Sequence, residues 1–254
     1  MKQRPYTLTI AGFDPSNGAG ITADVKTFEA SKVYGLSVCT ANTVQNDIEF
    51  TSCHWVDIEV IKSQIDALFD RFNIGFVKIG IVENWNVLIE IIDVLLEKNS
   101  KLKIIWDPIL RSSSEFDFYD ISSQEVSINQ FDSILDKIYL LTPNYHEIKA
   151  LCQSKTILET VKHISSKTNL LLKGGHRKEN IGKDELFMQN GKHFVLNPKR
   201  SDCSEKHGSG CILSSAITAQ LALGSSLVKS CYRGKKYTEK VLSSNKILLG
   251  YHKI

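Results

Sequence analysis

The feature that most constrains this chain is its rhythm. Short β-branched or leucine-rich runs stop at a glycine or proline, and most hand over to a stretch whose apolar residues recur at helical spacing. "YTLTIAG" ends in the turn "FDPSNGAG", after which "ITADVKTFEAS" sets Ile21, Val25 and Phe28 on one helical face. "SVCTANTVQN" reads as the next strand, and "VIKSQIDALFDRF" carries a stripe of Ile61, Ile65, Leu68 and Phe72. "GFVKIGI" precedes a helix over roughly 84–98, where Val87, Leu88, Ile91, Ile92 and Leu95 share a face. "KIIWDP", "IYLLTPN" and "NLLLKGGH" are further strands, apolar enough to be buried on both faces. Such alternation predicts an α/β fold with a mostly parallel, doubly wound central sheet covered by helices on both faces. Residues 182–198, "GKDELFMQNGKHFVLNP", break the pattern, and two short segments about "NG" predict a small β-hairpin flap. No linker or repeat interrupts the chain, so residues 1–254 are expected to form one domain.

At 254 residues and 42% hydrophobic content the chain can bury one sizeable core. Its 31 basic residues are interleaved with 28 acidic ones, which leaves no stripe for nucleic acid but does not disfavour small anions. The opening "MKQRPYTLTIAGFDPS" has no leader-like apolar core, and no apolar run approaches the roughly 20 residues of a membrane span. A cytoplasmic protein is therefore expected. The six cysteines (39, 53, 152, 203, 211 and 231) show neither CxxC nor paired spacing, against zinc, iron–sulfur clusters or a disulfide framework.

In open α/β sheets ligands collect beyond the carboxyl ends of the strands, and here those turns hold nearly all the unusual chemistry. In "KHGSGC", Gly208, Ser209 and Gly210 let consecutive N–H groups face one anion, and the helix from Cys211 adds its positive end. A loop shaped only for packing is the alternative. The P-loop spacing and its GK[ST] ending are absent. "DPSNGAG" is a second loop of close approach. Behind it Asp24 falls on the stripe that should face the core, so its carboxylate must meet either a substrate hydroxyl or amine, or a structural partner. Gln45 offers an amide suited to a heterocycle edge, or to a satisfied turn. Asn144 and Glu147 can hold magnesium through water, or simply cap a helix. Asp107 is another strand-end carboxylate that could reach the same metal, and Lys173 could meet a nucleotide phosphate or lie exposed at a strand end.

Taken in order, "TIAGFDPSNGAGITADVKTFEASKVYGLSVCTANTVQN", "VKIG", "WDPIL", "TPNYHEIKAL", "LLKGGH" and "KHGSGCILSSAI" resemble the hydroxymethylpyrimidine/phosphomethylpyrimidine kinases, over essentially the whole chain. These form the thiamine-biosynthesis branch of the ribokinase-like superfamily. The resemblance implies a ribokinase-like fold and an ATP- and magnesium-dependent enzyme, typically a homodimer. Its substrates would be 4-amino-5-hydroxymethyl-2-methylpyrimidine and then the monophosphate, which becomes the pyrophosphate. Gln45 would bond the pyrimidine ring, while Asp24 and the backbone around Gly12 would hold its substituents. Asn144 and Glu147 match the superfamily's N-x-x-E, associated with magnesium and phosphate placement, and Lys173 falls where the family contacts ATP. Gly208 to Gly210 would form the anion hole, with Cys211 where many sugar kinases of the superfamily carry an aspartate base. Three stretches depart from the family: Ile81 and Val82 replace its usual methionine neighbourhood, "ILRSSSEFDF" with Arg111 replaces a small-residue stretch, and the approach to His207 lacks its frequent Asn-Thr.

A thiol at position 211 suits two successive phosphorylations. An alcohol acceptor gains from a nearby base by part of the ~10²–10⁴-fold typical of general base catalysis. A phosphate acceptor, with a second pKa of about 6, is already anionic and needs none. A fixed aspartate about 4 Å from it would oppose it by ~1–4 kcal/mol, whereas a thiol can stay neutral unless the helix terminus ionises it. Three other readings stand beside this one: a pyridoxal or pyridoxine kinase of the same fold, a cysteine hydrolase pairing Cys211 with His207, and a non-catalytic nucleotide-binding regulator.

Overall fold

The computed structural model describes residues 3–109, 128–152, 155–175, 181–200 and 202–252. Strand β1 (Tyr6–Phe13) is followed by helix α1 (Gly20–Ala30), then by β2 (Tyr34–Gln45) and β3 (Phe50–Trp55). After α2 (Ile58–Arg71) come β4 (Ile74–Ile79), α3 (Trp85–Lys98), β5 (Lys103–Trp106) and α4 (Ile128–Leu135). The second half runs β6 (Leu140–Leu141), α5 (Tyr145–Leu151), α6 (Ile157–Lys167), β7 (Asn169–Leu172), β8 (Asp184–Phe187), β9 (His193–Leu196), α7 (Ser209–Ala222) and α8 (Leu227–Leu242).

The described strands form one sheet in the order β3-β2-β1-β4-β5-β6-β7-β8-β9. From β2 through β7 every pairing is parallel, and antiparallel strands close both edges. The order reverses about β1, which lies between β2 and β4, and the carboxyl end of β1 is therefore the switch point where a crevice opens. Helices α2 to α6 pack one face through Ile65, Ile91, Ile92, Phe131, Ile148 and Ile164. Helices α1, α7 and α8 cover the other, where Ile212, Leu213, Ile217 and Leu227 are buried.

Local chemistry explains the helix ends. The Asn84 side chain accepts the Val87 N–H at the start of α3, and Lys98 sits in its last turn, opposite the negative helix end. Helix α7 has almost no polar face: Cys211 through Ala219 are all buried. Its small residues let it thread between the sheet, α1 and α8.

The expected hairpin over 182–198 is present as β8 and β9, turning at Gly191 with φ +82. It is not a detached flap, because Leu170, Leu171 and Leu172 pair with Phe187, Leu186 and Glu185 and so extend the main sheet. At the opposite edge β3 is a strand the sequence pattern hides, since "FTSCHW" lacks a clean apolar alternation. Among the described residues no helix is long and apolar enough to cross a membrane. Truncating a wholly buried core side chain, Ile91→Ala, should lower unfolding free energy by ~2–5 kcal/mol in urea titration.

Candidate active site

Two glycine-bearing loops meet at the switch point. Gly208 begins α7 with φ +76, and a Cβ there would lie 2.1 Å from the Gly18 carbonyl oxygen. Gly20 has φ +60, and a Cβ there would lie 2.1 Å from the Gly12 carbonyl oxygen. Only glycine permits backbone conformation and approach together at these two points. The loops also share a carboxylate. Asp14 accepts N–H bonds from Ser16, Gly18 and Ala19 at 2.8, 3.1 and 2.8 Å, and the Ser16 hydroxyl at 2.9 Å. The His207 Nε2 lies 2.9 Å from Asp14 Oδ2, joining the second loop to the first. Burial pushes the Asp14 pKa up, but His207 and the loop N–H groups outweigh it, so the net direction is down and the group is a carboxylate.

Beneath the start of α7 lie two buried ion pairs. The Lys78 Nζ is 2.8 Å from Asp24 Oδ2, with both side chains fully enclosed. Lys173 Nζ is 2.7 Å from Asp107 Oδ1. Consecutive serines of α7 tie each aspartate to the helix: Ser215 donates to Asp24 at 2.6 Å, and Ser214 to Asp107 at 3.0 Å. Thr9 completes the first site at 2.6 Å and Thr142 the second at 3.1 Å. Burial lowers the pKa of each lysine, yet the neighbouring carboxylates more than compensate and hold both ammoniums charged. The Lys173 ammonium lies only 3.3 Å from where a Gly210 Cβ would stand, so the glycine admits the cation to the loop of Gly208, Ser209, Gly210 and Cys211, a cradle at the start of α7.

Two expectations change here. Asp24 finds a structural partner: its oxygens are taken by Ser215, Thr9 and Lys78 and none of its side chain reaches solvent, so the expected substrate contact gives way to an anchoring role. Asp107 is likewise sealed, with both oxygens engaged by Lys173, Thr142 and Ser214, and this corrects its expected role as a direct metal ligand. Lys173, conversely, is not an exposed strand-end lysine but a buried one.

Asn144 and Glu147 form a capping box. The Asn144 side chain accepts the His146 and Glu147 N–H groups at 2.8 and 2.9 Å, while Glu147 Oε2 accepts the Asn144 N–H at 2.6 Å. The box still belongs to the cradle's edge, for Asn144 bridges Lys173 in the sheet and Glu147 Oε2 is 3.6 Å from the Lys173 ammonium. Burial raises the Glu147 pKa to about 7, Lys173 opposes it, and Asp107 adds to it. Among the described residues no three His, Cys, Asp or Glu side chains gather to hold a metal. A lone carboxylate such as Glu147 suits an ion that keeps most of its water, as magnesium does.

Cys211 is 5% exposed in the first turn of α7. Burial pushes its thiol up to about 11, Lys78 pulls it down, and Asp24 and Asp107 push it up again, so the thiol is neutral at physiological pH. The hydrolase reading lacks its nucleophile–base bond, because His207 Nε2 meets Asp14, its Nδ1 has no hydrogen-bond partner, and burial pushes the Cys211 thiol up. Gln45 stands half-buried at the end of β2, its amide donating to Thr43 at 2.8 Å. Gly12, next to the last residue of β1, is in contact range of Ile81, whose Cδ1 would lie 2.4 Å from a Gly12 Cβ. Lys235 pins α8 to the hairpin through Asp184 at 2.8 Å. Tyr237 bonds His252 at 2.9 Å. Arg111 lies outside the described residues.

Lys78, Asp14 and the paired serines escape a turn-by-turn reading. Lys78 carried one signal, a cation inside an apolar strand of a sheet covered on both faces. Asp14 carried another, an Asp-Pro-Ser turn start.

The architecture is that of a small-molecule kinase. A Bacillus subtilis pyridoxal kinase, solved as an ADP complex, shares the fold with a TM-score of 0.78, covering 97% of this chain and 94% of its own at 24% identity. The chain belongs to the phosphomethylpyrimidine kinase family, whose sequence model it matches over residues 14–253. It is 35% identical to a hydroxymethylpyrimidine/phosphomethylpyrimidine kinase of Aquifex aeolicus, over 96% of this chain and 97% of that protein. A solved phosphomethylpyrimidine kinase of Clostridium difficile is 31% identical, with a TM-score of 0.76 and coverage of 92% of this chain and 98% of its own.

Removing one member of a buried pair strands the other charge. Lys78→Met should lower unfolding free energy by ~3–5 kcal/mol in urea titration, and adding Asp24→Asn should restore most of it. Glu147 gives a pH test. Its unfolded value is near 4.5 and its folded value about 7, so the folded state holds the proton longer. Its contribution to stability falls as pH rises from about 4.5 to about 7, by on the order of a few kcal/mol. Urea midpoints at pH 5 and pH 7.5 should therefore differ more for the wild type than for Glu147→Gln, which keeps the cap.

Proposed function

We propose that residues 1–254 act as one kinase domain that transfers phosphate from ATP to 4-amino-5-hydroxymethyl-2-methylpyrimidine, and then to its monophosphate, supplying the pyrophosphate for thiamine biosynthesis. The observation that carries this reading is the cradle of Gly208, Ser209, Gly210 and Cys211, with a buried ammonium at Gly210 and a neutral thiol at its rim. Family membership and the relatives' names support the acceptor, and ATP is supported by nucleotide complexes of kinases that share the fold.

In this reading the N–H groups at the start of α7 receive the charge of the transferring phosphate, which is where most catalysis of phosphoryl transfer arises. Lys173 adds a cation held in place by Asp107, and Asn144 sets the edge beside it. Gln45 and the backbone at Gly12 hold the pyrimidine, with Ile81 as one wall of its pocket. Magnesium bound with the nucleotide would neutralise phosphate charge, and Glu147 is the residue that would hold it, through water. Cys211 leaves room for an anionic acceptor. The homodimer implied by the family resemblance and the cytoplasmic setting expected from the sequence go with this reading.

Product formation followed by ³¹P NMR, from ATP, magnesium and the hydroxymethylpyrimidine, should show the monoester appear first and the pyrophosphate ester accumulate after it. Turnover of pyridoxal in preference to the pyrimidine, or no turnover of the pyrimidine, would overturn the proposal.

A further inference from the structure

The His207 side chain is enclosed and reaches across to the other loop. Its Nε2 meets Asp14, the same carboxylate that organises Ser16, Gly18 and Ala19, while its Nδ1 is buried without any hydrogen-bond partner. An imidazole retained for packing alone would do better as an apolar side chain, which strands no nitrogen. The ring also fills the space beside Gly18, where a Cβ would fall 2.5 Å from its Cδ2. The next residue, Gly208, is the left-handed start of α7 and rests on the Gly18 carbonyl. One imidazole bond thus fixes the position of the acceptor-side loop relative to the first N–H groups of the phosphate cradle.

We infer that His207 is a positioning residue for phosphoryl transfer, acting through Asp14 to lock the 14–20 loop against the 208–211 cradle. It touches no reacting atom. The inference rests on the kinase reading above for its kinetic consequence, but the lock itself exists in the protein without substrate. Because one cradle serves both acceptors, loosening it should affect the alcohol and the phosphate step alike.

The test compares His207→Leu, which removes the bond and the stranded nitrogen, with His207→Gln, whose amide nitrogen can replace Nε2. In His207→Leu, kcat should fall 10–100-fold for both acceptors while acceptor KM moves less than threefold and the melting temperature stays near that of the wild type. His207→Gln should recover at least a third of the lost kcat. Without substrate, iodoacetamide labelling of the Cys211 peptide, read by mass spectrometry, should be at least tenfold faster in His207→Leu and near wild-type in His207→Gln. Wild-type labelling and kcat in His207→Leu would overturn the inference, as would equal loss in both variants. Absence of pyrimidine turnover in the wild type would count against the kinase reading instead, and the labelling rates would still decide the lock.

Discussion

Two lysine–aspartate pairs, sealed under the first turns of α7, are the constraint on which the rest of this structure depends. Removing four charged groups from water is expensive, and the expense is tolerable only because each ammonium meets a carboxylate and each carboxylate is completed by hydroxyl donors. The donors are not scattered. Ser214 and Ser215 are neighbours on one helix, Lys78 projects from β4, Lys173 follows β7, and Asp107 follows β5. The same bonds that satisfy the charges therefore fix where α7 begins relative to three strands. A helix terminus placed in this way can present its N–H groups to an anion without reorganising.

The cradle's chemistry follows from that anchoring. The approach of Lys173 to Gly210 adds a positive charge at one rim, where the Asn144–Glu147 cap closes the edge. At the other rim the two glycine loops interlock around Gly18, Gly20 and Gly208, with Asp14 and His207 bridging them. Between the rims lies Cys211. Burial keeps its thiol neutral, and the two aspartates that stabilise the lysines add to that effect.

Much of this was legible in the sequence, and the limits have physical causes. Helix–strand alternation predicted the parallel sheet because buried strands and amphipathic helices have different periods, as Ile61 and Ile65 or Leu88 and Ile91 show. Edge strand β3 was not legible, since its alternate residues are partly solvated and polar. At the site, the glycines of 208–210 and 12–20 announced close approach. Asp24 announced only that something must satisfy it, and the partner proved to be Lys78, 54 residues away in sequence. Asp107 looked like a metal ligand because its strand-end position is visible in sequence, while the lysine, serine and threonine that close it off come from three other elements. Long-range pairings of this kind have no local signature.

In the function proposed above, the cradle serves two acceptors because residue 211 is uncharged. Its most direct test is the ratio of kcat/KM for the pyrimidine alcohol to that for its monophosphate, in the wild type and in Cys211→Asp of unchanged melting temperature. The aspartate should lower kcat/KM for the monophosphate at least fivefold more than for the alcohol, since ~1–4 kcal/mol of repulsion acts on the anionic acceptor alone. Equal losses on the two acceptors would contradict it.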